Sequence, residues 1–95
     1  MKEHHGILQR MTESMDLSAE PIPGQPLLEI AGDTRVLIEN HFGVREYSLE
    51  RIGIKVKYGT VMVCGCGLKL SRMTKEQLVI SGRIDSVILQ RREKG

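Results

Sequence analysis

The stretch that decides the fold is GIKVKYGTVMV, residues 53–63. From Ile52, the residue just before this stretch, to its midpoint, every second side chain is apolar: Ile52, Ile54, Val56 and Tyr58. Lys55 and Lys57 lie between them. Because successive side chains of a β-strand point to opposite faces, this period of two predicts a strand with one buried face. Tyr58-Gly59 then reverses the chain, and a second strand starts near Val61.

The same period extends in both directions from this pair of strands. Upstream, LLEIAGDTRVLIENH, residues 27–41, predicts two strands around Gly32-Asp33, because these residues tolerate the backbone angles of a tight hairpin. NHFG, residues 40–43, predicts the turn that follows. Downstream, LKL at residues 68–70 predicts a short strand, and RMTKE at residues 72–76 predicts the turn after it.

The last predicted strand, GRIDSVILQ at residues 82–90, contains a change of parity. Its apolar positions are Ile84, Val87 and Leu89. This shift predicts a bulge or bend at Asp85-Ser86. In all, roughly seven or eight short strands separated by turns indicate an all-β fold. We expect a small immunoglobulin-like β-sandwich, with a barrel or a short β-solenoid as the alternative, although the sequence has no convincing fixed-period repeat.

The N-terminal residues follow a different pattern. In GILQRMTESMDL, residues 6–17, the apolar residues recur at the spacing of one helix face: Ile7, Leu8, Met11 and Met15. Three prolines and one glycine in residues 18–26 then predict an extended connector. We therefore expect an amphipathic helix and a Pro-rich connector over 1–26, an all-β domain over 27–90 and a charged tail over 91–95. The helix is expected to pack on the same chain, with a partner's groove or a membrane surface as the alternatives.

Composition limits the classes of function. The 95 residues include 14 Lys and Arg against 12 Asp and Glu, a formal net charge of +2, which is too small to indicate a nucleic-acid-binding protein by itself. Two cysteines are too few for a disulfide framework and favour a reducing compartment. No run approaches the ~18 apolar residues of a membrane span. The N-terminus lacks the ~7–15 apolar residues of a signal peptide. We expect a cytoplasmic protein without a membrane span.

Cys64 and Cys66 are the candidate metal ligands. On a strand these two positions share a face, so both thiolates could reach one ion. Structural zinc requires four ligands, however, and the chain offers only three histidines as further soft ligands: His4, His5 and His41. We favour the interpretation of small strand residues, and we expect neither a metal nor a cofactor.

His41 is the candidate acid–base residue, since it lies two positions from Glu39 beside Asn40. No nucleophile or second carboxylate joins this pair in the sequence, so we expect His41 to be a solvated turn residue. Asp85 is expected to accept hydrogen bonds from backbone amides at its bend. The sequence therefore predicts no catalytic residue and no enzyme.

Cationic residues on the strands suggest an alternative function, the binding of single-stranded nucleic acid by a β-barrel. The residues concerned are Arg35, Arg45, Arg51, Lys55, Lys57 and Lys69. Such a surface requires interleaved aromatic side chains for base stacking, and the chain has only Phe42, Tyr47 and Tyr58. Alternating lysines also protect sheet edges from aggregation, which is the interpretation that we favour, so nucleic acid is not the expected partner.

Three segments together resemble one protein family. They are LQRMTESMDLSAEP (8–21), VLIENHFGV (36–44) and GIKVKYGTVMVCGCGLKLSRMTKEQLVISGRIDSVILQ (53–90). The chain resembles the YabP/YqfC family of bacterial sporulation proteins, most closely the YqfC branch. The resemblance rests on strand pattern and turn residues. The turn and family-motif residues are Glu39, Asn40, His41, Gly43, Gly59, Gly65, Gly82 and Asp85.

The resemblance implies a non-enzymatic β-domain protein of the mother cell, made during endospore formation. It implies a protein partner, such as a membrane-bound sporulation protein of the YqfD type, or a homo-oligomer, and a peripheral position at the forespore membrane. Polar or charged residues are usual in the family around the position of Gly65. Cys64 and Cys66 depart from that pattern, which favours side chains that face solvent or an interface.

Overall fold

All regular structure in the described part of the chain is β-strand. A computed structural model describes residues 24–92. The strands are β1 (Leu27–Ala31), β2 (Arg35–Glu39), β3 (Val44–Tyr47), β4 (Arg51–Val56), β5 (Gly59–Met73) and β6 (Gln77–Arg91). They form one antiparallel sheet in the order β1-β2-β6-β5-β4-β3. The all-β class is confirmed. The predicted N-terminal helix lies outside the described residues, and within them no helix is long and apolar enough to cross a membrane.

The centre of the sheet is the long hairpin of β5 and β6, each 15 residues in length. β2 pairs with residues 77–81 of β6, next to the hairpin turn. β4 pairs with residues 59–64 of β5, at the opposite end of the hairpin. The sheet thus has a turn half, made of β1, β2 and residues 69–81, and a far half, made of β3, β4, residues 59–64 and residues 86–91.

The described residues contain six strands in a single sheet, where the sequence predicts seven or eight strands in a sandwich. The difference arises because β5 runs without interruption through the strands predicted near Val61 and at residues 68–70, and because β6 begins before the last predicted strand and continues through Gly82. The pairing of β5 with β6 shifts register three times. At the first shift Cys64 pairs with Ser86 and Gly65 pairs with Ile84, so Asp85 is an extra residue. This is the predicted bulge.

Glycines allow the hairpin to bend at these shifts. A Cβ atom at Gly65 would overlap the carbonyl oxygen of Arg83 on the neighbouring strand. Gly82 has a φ of 136°, and a Cβ atom there would lie 2.6 Å from the carbonyl oxygen of Gly67. Bulges bend and twist a strand, and glycine permits the close approach of two backbones. The hairpin therefore changes direction between the two halves without ending either strand.

The bend lets both halves contribute to one core. Its members are Val36, Ile38, Leu78 and Ile80 from the turn half, Ile52, Ile54, Val56, Val61 and Val63 from the far half, and Leu68 and Ile84 at the bend. The alternation predicted for residues 54–57 is confirmed, because Ile54 and Val56 are buried whereas Lys55 and Lys57 are exposed; in β5, by contrast, Val61, Met62 and Val63 are all buried. One sheet folded over its own inner face thus builds the interior that we expected from two sheets.

Candidate functional site: the histidine tie and the open edge of β6

His41 lies in residues 40–43, the segment that carries the chain from β2 in the turn half to β3 in the far half. Its side chain is only 8% exposed. The Gly43 N–H donates to Nδ1 at 3.0 Å, and Nε2 lies 2.9 Å from the carbonyl oxygen of Thr74. Because a carbonyl oxygen only accepts, Nε2 carries the proton and donates. The expectation of a solvated turn histidine is wrong, since the imidazole is a buried tie between this segment and the β5–β6 turn.

The two residues before His41 extend this tie. The Asn40 N–H donates to the carbonyl oxygen of Glu76 at 2.9 Å, and its side-chain amide donates to the carbonyl oxygen of Gln25 at 2.9 Å. Asn40 has a φ of 63°, a left-handed conformation that asparagine tolerates better than most residues. The Glu39 carboxylate accepts from the Gln77 side-chain amide at 2.8 Å. The predicted family-motif residues 39–41 thus fasten three separate segments to one another.

The candidate acid–base residues do not converge. Glu39 bonds to Gln77, and His41 bonds to backbone groups. Asp85 is exposed and forms an ion pair with Arg83, with Oδ1 and Nε 3.4 Å apart, so its predicted bonds to backbone amides are not formed. Sequence reasoning missed Thr74 as the partner of His41, because a partner 33 residues away leaves no local signal.

The remaining motif glycines allow backbone conformations and close contacts that other residues would hinder. Gly43 and Gly59 have φ angles of 113° and 154°. A Cβ atom at Gly59 would overlap the carbonyl oxygen of Gln90. Gly59, like Gly65 and Gly82 at the bend, lets two strands approach each other closely, whereas Gly43 meets no neighbour there and supplies a positive φ. They carry no functional group, so they shape the sheet on which any site is built.

Cys64 and Cys66 are both free thiols; Cys64 is half-buried and Cys66 is exposed. Within residues 24–92, no group of three or more His, Cys, Asp or Glu side chains is placed to hold a metal ion. His4 and His5 lie outside the described residues. The two thiols stand where the hairpin bends, on the face that the sequence pattern favours for solvent or for an interface.

Four stretches of strand have a partner strand on one side only among the described residues. They are β1, β3, residues 69–73 of β5 and residues 85–91 of β6. Charged side chains lie on the first three: Glu29 on β1, Arg45 and Glu46 on β3, and Lys69 and Arg72 on β5. β3 also has a register shift at Arg45. Charges and bulges on edge strands discourage the addition of another strand.

The fourth edge has charged residues only at its two ends, Asp85 and Arg91, with the bulge at Asp85. Residues 86–90 of β6 read SVILQ and contain no charge. Ile88 is 44% exposed and Leu89 is 58% exposed. β2 stops pairing with β6 at Ser81, and the last backbone bond on this side joins the Ile84 N–H to the carbonyl oxygen of Asp33. We call residues 86–90 the open edge. The sequence predicts a strand here, but only the pairing order reveals which side is unoccupied.

Known proteins are similar to this chain in sequence over most of its length. The model of the YabP family matches residues 24–95, which include all six strands and the histidine tie. A Bacillus subtilis (strain 168) relative named "Uncharacterized protein YqfC" is 22% identical over 77 residues, 81% of this chain and 83% of the relative. No solved structure matches the chain. Since the family match extends over most of its length, this chain belongs to the YabP family, as the sequence resemblance indicates.

Proposed function

We propose that this protein is a non-enzymatic interaction or assembly factor that acts in the mother cell during endospore formation. Membership of the YabP family suggests a sporulation-related protein. The observation that carries the interaction role is the open edge, a five-residue stretch of uncharged strand that pairs with β5 on one side and has no partner strand on the other among the described residues. Natural sheets usually protect such an edge, so its exposure supports a surface that binds a partner.

The mode of binding that we propose is strand addition. The unpaired N–H and C=O groups of the open edge would form the backbone hydrogen bonds, each contributing about 1 kcal/mol net. Ile88 and Leu89 point to opposite faces of the sheet, so a partner strand would contact an exposed apolar side chain on each face. Backbone bonds would thus provide affinity, and these two side chains would provide selectivity.

The partner that we propose is a membrane-bound sporulation protein of the YqfD type. Recruitment of this chain by that membrane-bound protein would place it at the periphery of the forespore membrane. Homo-oligomerisation through the same edge is the competing outcome. The two are distinguished by whether the molecule bound at the open edge is a second copy of this chain.

The test places a photo-crosslinking residue at Ile88 in the full chain in sporulating cells. Met73 is the matched control position, since it is also an apolar edge residue and is 52% exposed. We expect one product from position 88, either with a membrane-bound protein or with a second copy, and none from position 73. Equal products at both positions, or none at either, would contradict strand addition at the open edge.

A substitution completes the test. Lysine at Ile88 protects the edge in the way that natural sheets do, so Ile88→Lys should lower sporulation efficiency at least about tenfold. Met73→Lys makes the same change in charge at another edge and should leave sporulation unchanged. Circular dichroism checks that both variants fold. Normal sporulation with folded Ile88→Lys protein would count against the proposed role.

A further inference from the structure

The far half of the sheet ends in a cleft of about 470 Å³ with an unusual charge distribution. Its cationic lining residues are Arg45, Lys55, Arg91 and Arg92. No carboxylate of the described residues lines it. Within residues 24–92, the ion pair of Arg51 with Glu46 and that of Arg83 with Asp85 both lie outside the cleft and involve no lining residue. We call this feature the cationic cleft.

Gathering four cations without a carboxylate costs free energy, because like charges on neighbouring strands repel each other. The cations come from different elements: Arg45 from β3, Lys55 from β4, Arg91 from the end of β6 and Arg92 directly after it. Their proximity is therefore a product of the fold and not of a basic run in the sequence. An anion bound in the cleft would offset this repulsion.

The guanidinium groups are held in place by the protein itself. Arg45 Nη1 donates to Oγ1 of the buried Thr60 at 3.1 Å. Arg92 Nη2 donates to the carbonyl oxygen of Lys57 at 2.6 Å. The Arg91 guanidinium lies 5.8 Å from the ring centre of Tyr58. Side chains that are already ordered lose less entropy when a ligand binds, so these contacts favour binding in the cleft.

We propose that the cationic cleft binds a phosphate-bearing group. Guanidinium groups present planar pairs of donors that match phosphate oxygens, and the Lys55 ammonium adds a point charge. The volume of the cleft falls in the range of ligand-binding sites. The phosphate has two chemical sources, a soluble phosphate compound or a phospholipid headgroup. This inference does not depend on strand addition at the open edge.

Of the two phosphate sources, the position of Phe42 favours the phospholipid headgroup. Phe42 lines the cleft and is 62% exposed. An exposed aromatic ring beside cations is suited to the interface of an anionic membrane, whereas a soluble phosphate compound needs no such contact. A nucleic acid would require several stacking rings along the surface, and Phe42 is the sole aromatic residue among those that line the cleft.

The test measures binding of the full chain to two probes. Pyrophosphate is titrated calorimetrically, and vesicles of phosphatidylcholine with or without phosphatidylglycerol are used in co-sedimentation. The cleft variant is Arg45→Glu with Lys55→Glu. The control, Lys69→Glu with Arg72→Glu, changes the net charge equally at the exposed edge of β5. We expect the cleft variant to bind at least about tenfold more weakly and the control to retain affinity at physiological ionic strength.

Each outcome either supports or overturns the binding of a phosphate-bearing group in the cationic cleft. Pyrophosphate binding that the cleft variant loses assigns a soluble source, and binding to phosphatidylglycerol vesicles alone assigns a headgroup. Failure of both probes, equal weakening in the two variants, or tighter binding of a labelled single-stranded oligonucleotide than of either probe would overturn the proposal. Lys55→Ala removes a single exposed charge and guards against misfolding of the double variant. It should weaken binding about threefold or more while leaving the thermal midpoint unchanged.

Discussion

At the scale of single residues, His41 contributes a structural tie rather than chemistry. Both ring nitrogens are engaged by backbone groups of other residues, Gly43 and Thr74, and the ring is buried. A His beside a Glu in a sequence suggests acid–base catalysis, but here each side chain has a different partner. The sequence placed His41 and Asn40 between two strands, yet it could not show what they fasten, because their partners come from distant segments.

Removing the imidazole should therefore lower stability. His41→Ala leaves the Gly43 N–H and the Thr74 carbonyl without their partners, which should lower the free energy of unfolding by about 2–4 kcal/mol. His41→Asn keeps an acceptor near Gly43 but is too short to reach Thr74, so we expect an intermediate loss. Denaturant titrations measure both values. A His41→Ala protein as stable as the parent would show that the tie contributes nothing.

Tyr58 should make stability depend on pH in the alkaline range. Burial raises the pKa of its phenol above the ordinary value of 10.0, and the Arg91 guanidinium lowers it by a smaller amount. Between the unfolded and the higher folded pKa, the folded chain keeps a proton that the unfolded chain has lost. The stabilising contribution is thus complete below about pH 10 and is lost as pH rises through the folded pKa.

Tyr58→Phe should remove this part of the alkaline loss of stability. We expect the parent to lose more unfolding free energy than Tyr58→Phe between about pH 9 and pH 11. A Tyr47→Phe chain contains Tyr58 as its single tyrosine, so its ultraviolet absorbance titration reports the Tyr58 phenol alone. A parallel decline in the two proteins would contradict the assignment.

At the scale of elements, the period of two predicted which residues form strands but not where the long strands end. Glycine is common in turns, and the separate strands predicted near Val61 and at residues 68–70 lie on either side of Gly65 and Gly67. In the structure these glycines bend a continuous strand, because pairing with β6 persists on both sides of them. Local residues determine the period, whereas contacts between distant segments determine whether a glycine ends a strand or bends it.

The extra residue at Asp85 is the element-scale feature that can be tested directly. Deleting it forces Ile84 or the stretch from Val87 onward to slip by one position, which turns inward side chains outward. We expect the deletion to lower the unfolding free energy by about 2 kcal/mol or more. Asp85→Asn keeps the bulge and loses an exposed ion pair, which should cost less than about 0.5 kcal/mol. Equal losses would show that the carboxylate, and not the residue count, matters.

At the scale of the whole molecule, the two halves of the sheet share one core. Ile38 in the turn half and Ile54 in the far half are both fully buried in the same cluster. The sequence predicted an all-β body with Ile54 on a buried face, but the strand order and the open edge depend on long-range pairing that no local pattern records. The candidate surfaces for function belong to this scale, which explains why the motif residues did not reveal them.

A shared core predicts that the halves unfold together. Ile38→Ala should cost about 2–5 kcal/mol and should speed the hydrogen exchange of the protected amides in β4 as much as of those in β2. Mass spectrometry of the exchanged protein measures both strands in one experiment. Faster exchange confined to β1 and β2 would show instead that the turn half opens independently.

The unequal charge on the two sides of the β5–β6 hairpin limits how copies of the chain could stack. If two copies paired through their uncharged sides, the contact would be self-complementary and would close on a two-fold axis. Growth into a fibre through the two sides of the hairpin would require one copy's uncharged side to meet the next copy's Lys69 and Arg72, which disfavour such a contact. The hairpin therefore permits a dimer and opposes a polymer.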